Sequence, residues 1–153
     1  MIGASGAEEG SEIWQLAEEV GRRLAAAGVA LVCGGGGGVM EAASRGAAEA
    51  GGSVIGIVPG ESVADANEYC TKVVATGIGH ARNLAVVSSG EAVIAIGGEW
   101  GTLSEIGFAR VIGHEVIALR SWELDGHERM RGAPGVVSAE TAEEAVAAAL
   151  AAL

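Results

Sequence analysis

Apolar positions recur along this chain with two alternating periods. In "SEIWQLAEEVGRRLAAAG" (11–28), Ile13, Leu16, Ala17, Val20 and Leu24 share one helical face, with Glu and Arg opposite and Gly28 as the stop. "VALVC" (29–33) then reads as a buried strand, followed by a run of five glycines and a helix over "VMEAASRGAAEAG" (39–51). Strands follow at "SVIGIVP" (53–59) and "CTKVVAT" (70–76), then a helix at "HARNLAVVSSG" (80–90). "EAVIAIGG" (91–98) and "HEVIAL" (114–119) are strands flanking the helix "TLSEIGFARVIG" (102–113). The tail 135–153 supplies a short strand and a helix, with Thr141 and Glu144 at capping-box spacing. The opening "MIGASG" reads as the end of a first strand, with only Met1 to Gly3 left to form it. Either that strand is very short or its start lies further upstream. Strands alternating with helices of this length predict an α/β fold with a single doubly wound parallel sheet, Rossmann-like, over residues 1–153 as one domain.

Composition narrows this picture. Half the residues are hydrophobic but only 3% are aromatic, so the core is built from Ala, Val, Ile and Leu. Such a core suits helices on a buried parallel sheet. No apolar run reaches the roughly 18 residues that cross a bilayer. The opening has neither the basic region nor the apolar core of a secretory signal, so the expected place is the cytoplasm, without a membrane partner. Twenty acidic residues against nine basic ones give a net charge of -11, which repels a nucleic-acid backbone. A small phosphorylated ligand stays compatible, because backbone amides and one arginine hold it locally. Every basic residue except Lys72 is arginine. Cys33, Cys70, His80, His114 and His127 are scattered without metal-ligand spacing, so no metal site is expected.

The 26 glycines sort by position. Gly28, Gly51, Gly90 and Gly113 follow helices, where a left-handed cap is expected. A second group follows strands: Gly3 and Gly6, Gly34 to Gly38, Gly60, Gly77 and Gly79, and Gly97, Gly98 and Gly101. In a parallel sheet these loops converge on one edge, the usual ligand edge of such folds. Tight turns alone also use glycine. Five such loops together favour a crevice.

Several chemistries fail at this edge. The glycine run puts Val39, or Met40 in a shifted register, where a dinucleotide fingerprint needs its third glycine. Lys72 is followed by Val73, which excludes a P-loop, and it sits inside a strand, which disfavours a pyridoxal Schiff base. What survives is phosphate binding at two helix starts, "TGIGHARN" (76–83) and "GGEWGTLSE" (97–105), where free amides and the helix dipole favour an anion. Arg82 stands in a first turn, the wrong end for a cation on dipole grounds, which points to a ligand over an exposed surface role. Thr102 and Glu105 have capping-box spacing, and a carboxylate there also accepts bonds from sugar hydroxyls. Trp100 is either a lid or stacking surface or a partly covered loop aromatic. Asn67 and Tyr69 are further candidates to line the crevice.

Together "GGGGGVMEAASRGAAEAGGSVIGIVPG", "ATGIGHARN" and "IGGEWGTLSEI" resemble the Lonely Guy (LOG) superfamily, in the branch of the molybdenum-cofactor carrier proteins, and the likeness covers nearly the whole chain. Many members were formerly labelled lysine decarboxylases, a label the missing pyridoxal lysine argues against here. The hydrolase branch cleaves nucleoside 5'-monophosphates to base and ribose 5-phosphate. Its glycine-threonine-glutamate motif matches Gly97, Gly98, Gly101, Thr102 and Glu105, and its catalytic arginine matches Arg82. The resemblance thereby implies Arg82 and Glu105 as the catalytic pair if turnover occurs. The other expected binding residues on this edge are Gly34, Gly35, Gly36, Gly37, Gly38, Met40, Gly77, Gly79, Asn83 and Trp100. Hydrolases usually carry lysine where this chain has Asn83 and proline where it has Ile96. Both departures point to the carrier-like branch, which binds a phosphorylated pterin. The implied ligand is the molybdenum cofactor or an AMP-like nucleotide, with no cofactor needed for catalysis, slow or absent AMP hydrolysis, and a homodimer or homotetramer.

Overall fold

The computed structural model describes residues 1–122, 124 and 135–153. Among them are seven strands: β1 (Ile2–Gly3), β2 (Leu31–Cys33), β3 (Val54–Val58), β4 (Lys72–Ala75), β5 (Ala92–Ile96), β6 (Glu115–Leu119) and β7 (Val136–Ala139). Five helices join them: α1 (Glu12–Ala26), α2 (Val39–Glu49), α3 (Arg82–Ser88), α4 (Trp100–Val111) and α5 (Ala142–Ala151). All strand pairs are parallel, and the α/β Rossmann-like fold expected from the alternation is the fold observed.

One expectation about the sheet needs correction. Its hydrogen bonds form two ladders, β1-β5-β6-β7 and β2-β3-β4, in place of one continuous ladder. β1 is two residues long and pairs only with β5, through Ile2 against Ala95 and Gly3 against Ile96. On its other flank, the Met1 ammonium donates to the Val32 carbonyl at 2.8 Å, joining the two ladders. β2 is also shorter than its apolar run, because Val29 and Ala30 have no strand beside them to pair with.

Helices cover both faces. α1, α2 and α5 close over Leu31, Cys33, Ile94, Ile96, Ile117 and Leu119, whereas α3 and α4 close over Val93, Ala95, Val116 and Ala118. The alternation of side chains along β5 and β6 sorts them to the two faces. α1 and α2 approach so closely that a Cβ on Gly21 would overlap the Ala43 carbonyl, and one on Gly46 the Glu18 carbonyl. α1 starts on Ser11, whose hydroxyl accepts from the Trp14 amide. α5 starts on Thr141, which accepts from the Glu144 amide at 3.1 Å, as the spacing predicts. The Glu144 carboxylate reaches back to the Glu140 amide, one residue short of the reciprocal bond. Gly28, Gly51 and Gly113 end their helices in left-handed conformation. Gly90 does not, because α3 stops at Ser88 and the Ser89 hydroxyl donates to the Ala85 carbonyl in its place.

Candidate functional site

Parallel strands send every strand-end loop to one edge, and the structure packs these loops against one another. The Val39 amide donates to the Ala4 carbonyl, tying the start of α2 to the loop after β1. Asn67 braces the glycine run: its backbone amide donates to Gly35 at 2.7 Å and its side-chain amide to Gly36 at 2.9 Å. Its own Oδ1 accepts from the Tyr69 amide. Gly77 and Gly79 donate to Gly60 and Pro59, which closes the loop after β4 onto the loop after β3.

Arg82 opens α3 and reaches across to β2. A Cβ on Gly34 would overlap its guanidinium, and the Met40 sulfur would lie 2.7 Å from the same Cβ. Glycine at 34 is therefore what lets the cation lie against the loop. Arg82 Nε is buried without a hydrogen-bond partner. Burial lowers the Arg82 pKa, opposed by the charges of Glu105 and Cys33.

Glu105 lies inside α4 and is only 8% exposed, with Thr102 at 2%. The capping-box reading of this pair is wrong. α4 begins two residues before Thr102, at Trp100, and its N-cap position is Glu99, which makes no side-chain cap. Glu99 instead accepts from the Ser5 hydroxyl. Burial pushes the Glu105 carboxyl up to about 7, against the pull of Arg82 and the Met1 ammonium. A cation and a titrating carboxyl thus face each other through space. Gly101 also lies in the helix, not in a loop, and its Cβ position meets nothing within 4 Å. The space beside Gly101 in the first turn of α4 is therefore open.

Residues 121 and 122 complete this edge, and the sequence reading missed them. Arg120 follows β6 at φ 50°, held by Glu140 at 2.9 Å and Glu12 at 3.4 Å. That left-handed turn lays Trp122 over the glycine pair, with its Nε1 at 2.5 Å from where a Gly98 Cβ would stand. Trp100, 80% exposed, faces Trp122 with ring centroids 5.9 Å apart. Ser121 Oγ and Trp122 Nε1 are buried without partners. The signal for them was positional: they follow a strand as the glycine loops do, but without glycine.

Gly34, Gly36, Met40, Arg82, Gly98, Trp100 and Glu105 are thus tied into this edge by contact or charge. Gly35 and Gly97 shape it in left-handed conformation, as do Gly38, Gly77 and Gly79. Asn83 is partly buried beside Arg82, and Gly37 stands near the Glu41 carboxylate. Cys33 and Cys70, read separately in the sequence, lie together under the glycine run. The Cys70 thiol donates to Asn67 Oδ1 at 3.6 Å, and its nearness lowers the Cys33 pKa, with the Ser44 hydroxyl and the Gly35 amide at the Cys33 sulfur adding to the effect against burial. Among the described residues no three His, Cys, Asp or Glu side chains cluster as a metal site. His127 lies outside the described residues. No helix among them is long and apolar enough to cross a membrane.

A family model, the SLOG cluster4 family, matches residues 1–146. An uncharacterized protein of Archaeoglobus fulgidus is 42% identical over 120 residues, 78% of each chain. The molybdenum cofactor binding protein of the phototrophic bacterium Rippkaea orientalis superposes with a TM-score of 0.86 at 31% identity, over 98% of this chain and 93% of that one. The molybdenum cofactor carrier protein of Chlamydomonas reinhardtii gives 0.82 at 28% identity, with the same shares covered. DNA processing protein A of Streptococcus pneumoniae shares the fold alone, at 19% identity over 95% of this chain and 59% of that chain.

Proposed function

This chain belongs to the SLOG cluster4 family, and on that footing we propose that it binds a small phosphorylated, nucleotide-like ligand as a carrier does. The molybdenum cofactor is the first candidate and an AMP-like nucleotide the second. The observation that carries this reading is Arg82, half-buried against the glycine run with a buried, unpartnered Nε. A buried donor without a partner costs free energy, and an anionic oxygen is the partner that relieves it most. The residues present fit such a group. Arg82 and the first-turn amides of α4 would hold phosphate, Ser121 and Trp122 would donate to polar atoms, and Trp100 would cover a flat ring. Glu105 would meet hydroxyl or ring nitrogen groups, as acceptor when ionised and donor when neutral. Similarity to two proteins described as binding or carrying the molybdenum cofactor supports the reading. Mass spectrometry of ligand released from purified protein tests it, alongside an AMP turnover assay. A phosphorylated pterin supports the carrier reading. Rapid release of ribose 5-phosphate from AMP would replace it with a hydrolase.

Gly101→Ala separates fold from site. Alanine is the better helix former, so the variant should be as stable as the wild type or up to about 1 kcal/mol more so. Its methyl group would stand in the open space above the α4 amides, so AMP binding measured by calorimetry should weaken about tenfold, or 1.4 kcal/mol. Unchanged affinity would move the ligand away from this helix start.

We also propose a homo-oligomer, a dimer or tetramer, of units that each use residues 1–153 as one binding domain. Leu84, Phe108 and Ile112 on or just after α3 and α4 are exposed, and Val111 is 84% exposed. Such apolar side chains on neighbouring helices suit a self-complementary contact. Light scattering should give at least twice the 15.1 kDa of one chain; a monomer at micromolar concentration would end the claim.

A further inference from the structure

Behind the glycine run, two sulfurs share one place on the sheet. β2 ends at Cys33, which is fully buried and whose register partner on β3 is Gly56. Register partners point to the same face, so a side chain at 56 would stand beside the Cys33 thiol. Glycine leaves that place empty, and Cys70 fills it from outside the strand. The Cys70 sulfur lies 2.6 Å from where a Gly56 Cβ would stand, and the Cys70 Cβ 3.4 Å. Glycine inside a five-residue strand weakens it and marks a close approach. Here the approaching group is the second thiol.

Both sulfurs also meet polar groups, which an apolar filler does not need. The Gly35 amide donates to Cys33 Sγ at 3.4 Å, and the Ser44 hydroxyl lies 3.5 Å from it. Cys70 Sγ donates to Asn67 Oδ1 at 3.6 Å. The nearness of Cys70 lowers the Cys33 pKa, and that of Cys33 raises the Cys70 pKa. Cys33 is thus the readier thiolate and Cys70 the thiol. Their access differs in the opposite sense: Cys33 is 0% exposed, whereas Cys70 is partly exposed.

We propose that Cys33 and Cys70 form a dithiol that a small hydroperoxide closes into a disulfide, a redox-modification site beneath the glycine run. Cys70, the thiol within reach of solvent, reacts first. Its proton passes to the Cys33 thiolate, and its sulfur takes one peroxide oxygen as a sulfenic acid while the other leaves as hydroxide. Cys33 then loses that proton to the hydroxide, making water, and attacks the Cys70 sulfur. The S–S bond forms as the S–O bond breaks, and a second hydroxide leaves and is neutralised by solvent. The two sulfurs together lose two electrons, which the peroxide oxygens gain. The new bond ties the end of β2, from which the glycine run departs, to the segment carrying Asn67, which braces that run.

Hydrogen peroxide added to the folded full chain, followed by trypsin without reductant, tests this. Peptides 24–45 and 46–72 should appear joined, two hydrogens lighter than their sum, and dithiothreitol should part them. Closing the loop over residues 33–70 should raise Tm by about 8 °C, a rise that dithiothreitol reverses. Cys70→Ser should leave Cys33 unoxidised, because no accessible thiol remains. Cys33→Ala should leave Cys70 as a sulfenic acid that dimedone traps. Should that variant fail to fold, the wild-type digest decides alone. Sulfenic or sulfinic acid at Cys70 of the wild type, without the joined peptides, would overturn the proposal. So would reaction of the thiols only above Tm, or disulfides formed only between chains, since the two cysteines would then be no more than buried apolar side chains.

Discussion

Glu105→Gln should make the protein more stable at pH 8 and leave it nearly unchanged at pH 5. The Glu105 carboxyl is buried and pushed up to about 7 from an ordinary 4.5. Between those two values the folded protein holds a proton that the unfolded chain has released, so stability falls as pH rises through this window. A shift of that size corresponds to about 3 kcal/mol, fully present below the unfolded value and lost above the folded one. Glutamine carries no charge and has nearly the same shape, so it removes this slope alone. Other titrating groups are common to both proteins and drop out of the difference. Urea denaturation of the pair at pH 5, 6.5 and 8 measures it. A difference that stays constant across this range would show that Glu105 ionises freely in the folded state.

Arg82→Ala should lower affinity for AMP or inorganic phosphate about a hundredfold with little change in stability. Charge-assisted bonds to an ionised oxygen contribute about 1.5–3 kcal/mol, so losing one or two accounts for that factor. Stability changes little because Nε has no partner to lose. Arg82→Lys should not restore binding fully, since a point charge lacks the planar fork. Gly34→Ala should reproduce the loss, because its methyl group takes the place of the guanidinium. Calorimetry with AMP measures all three. An affinity within twofold of the wild type in Arg82→Ala would remove Arg82 from the site.

These side chains were readable in the sequence to different depths. Arg82 stood out because a cation in a first turn opposes the helix dipole, and the structure places it against the glycine run. Glu105 entered through the family resemblance, and the capping-box role that its spacing also allowed is the part the structure overturns. A Thr-x-x-Glu spacing is the same whether threonine caps a helix or lies within its first turn, and only the hydrogen bonds of α4 distinguish the two. Trp122 and Ser121 were invisible to a search keyed on glycine. Their approach to Gly98 depends on the left-handed turn at Arg120, a conformation that an arginine does not announce. The Cys33–Cys70 contact joins residues distant in the chain, which no local spacing reports. Strand and helix periods were legible throughout, but the split ladder was not, because pairing depends on what lies beside a strand.

The close approach of α1 and α2 bears on how fast and how selectively the edge can respond. Gly21 and Gly46 bring the backbones of α1 and α2 into close contact, so α2 is held tightly against α1. The glycine run leads into the first turn of α2, and Asn67 pins the run while the Ala4 carbonyl pins the Val39 amide. Five glycines would ordinarily make a floppy loop whose ordering taxes every binding event. Here Asn67 orders the run through hydrogen bonds made when the chain folds, so a ligand bound as proposed would meet a preformed cradle. On the proposed reading, binding would need little conformational adaptation and would favour ligands whose outline matches the preformed edge.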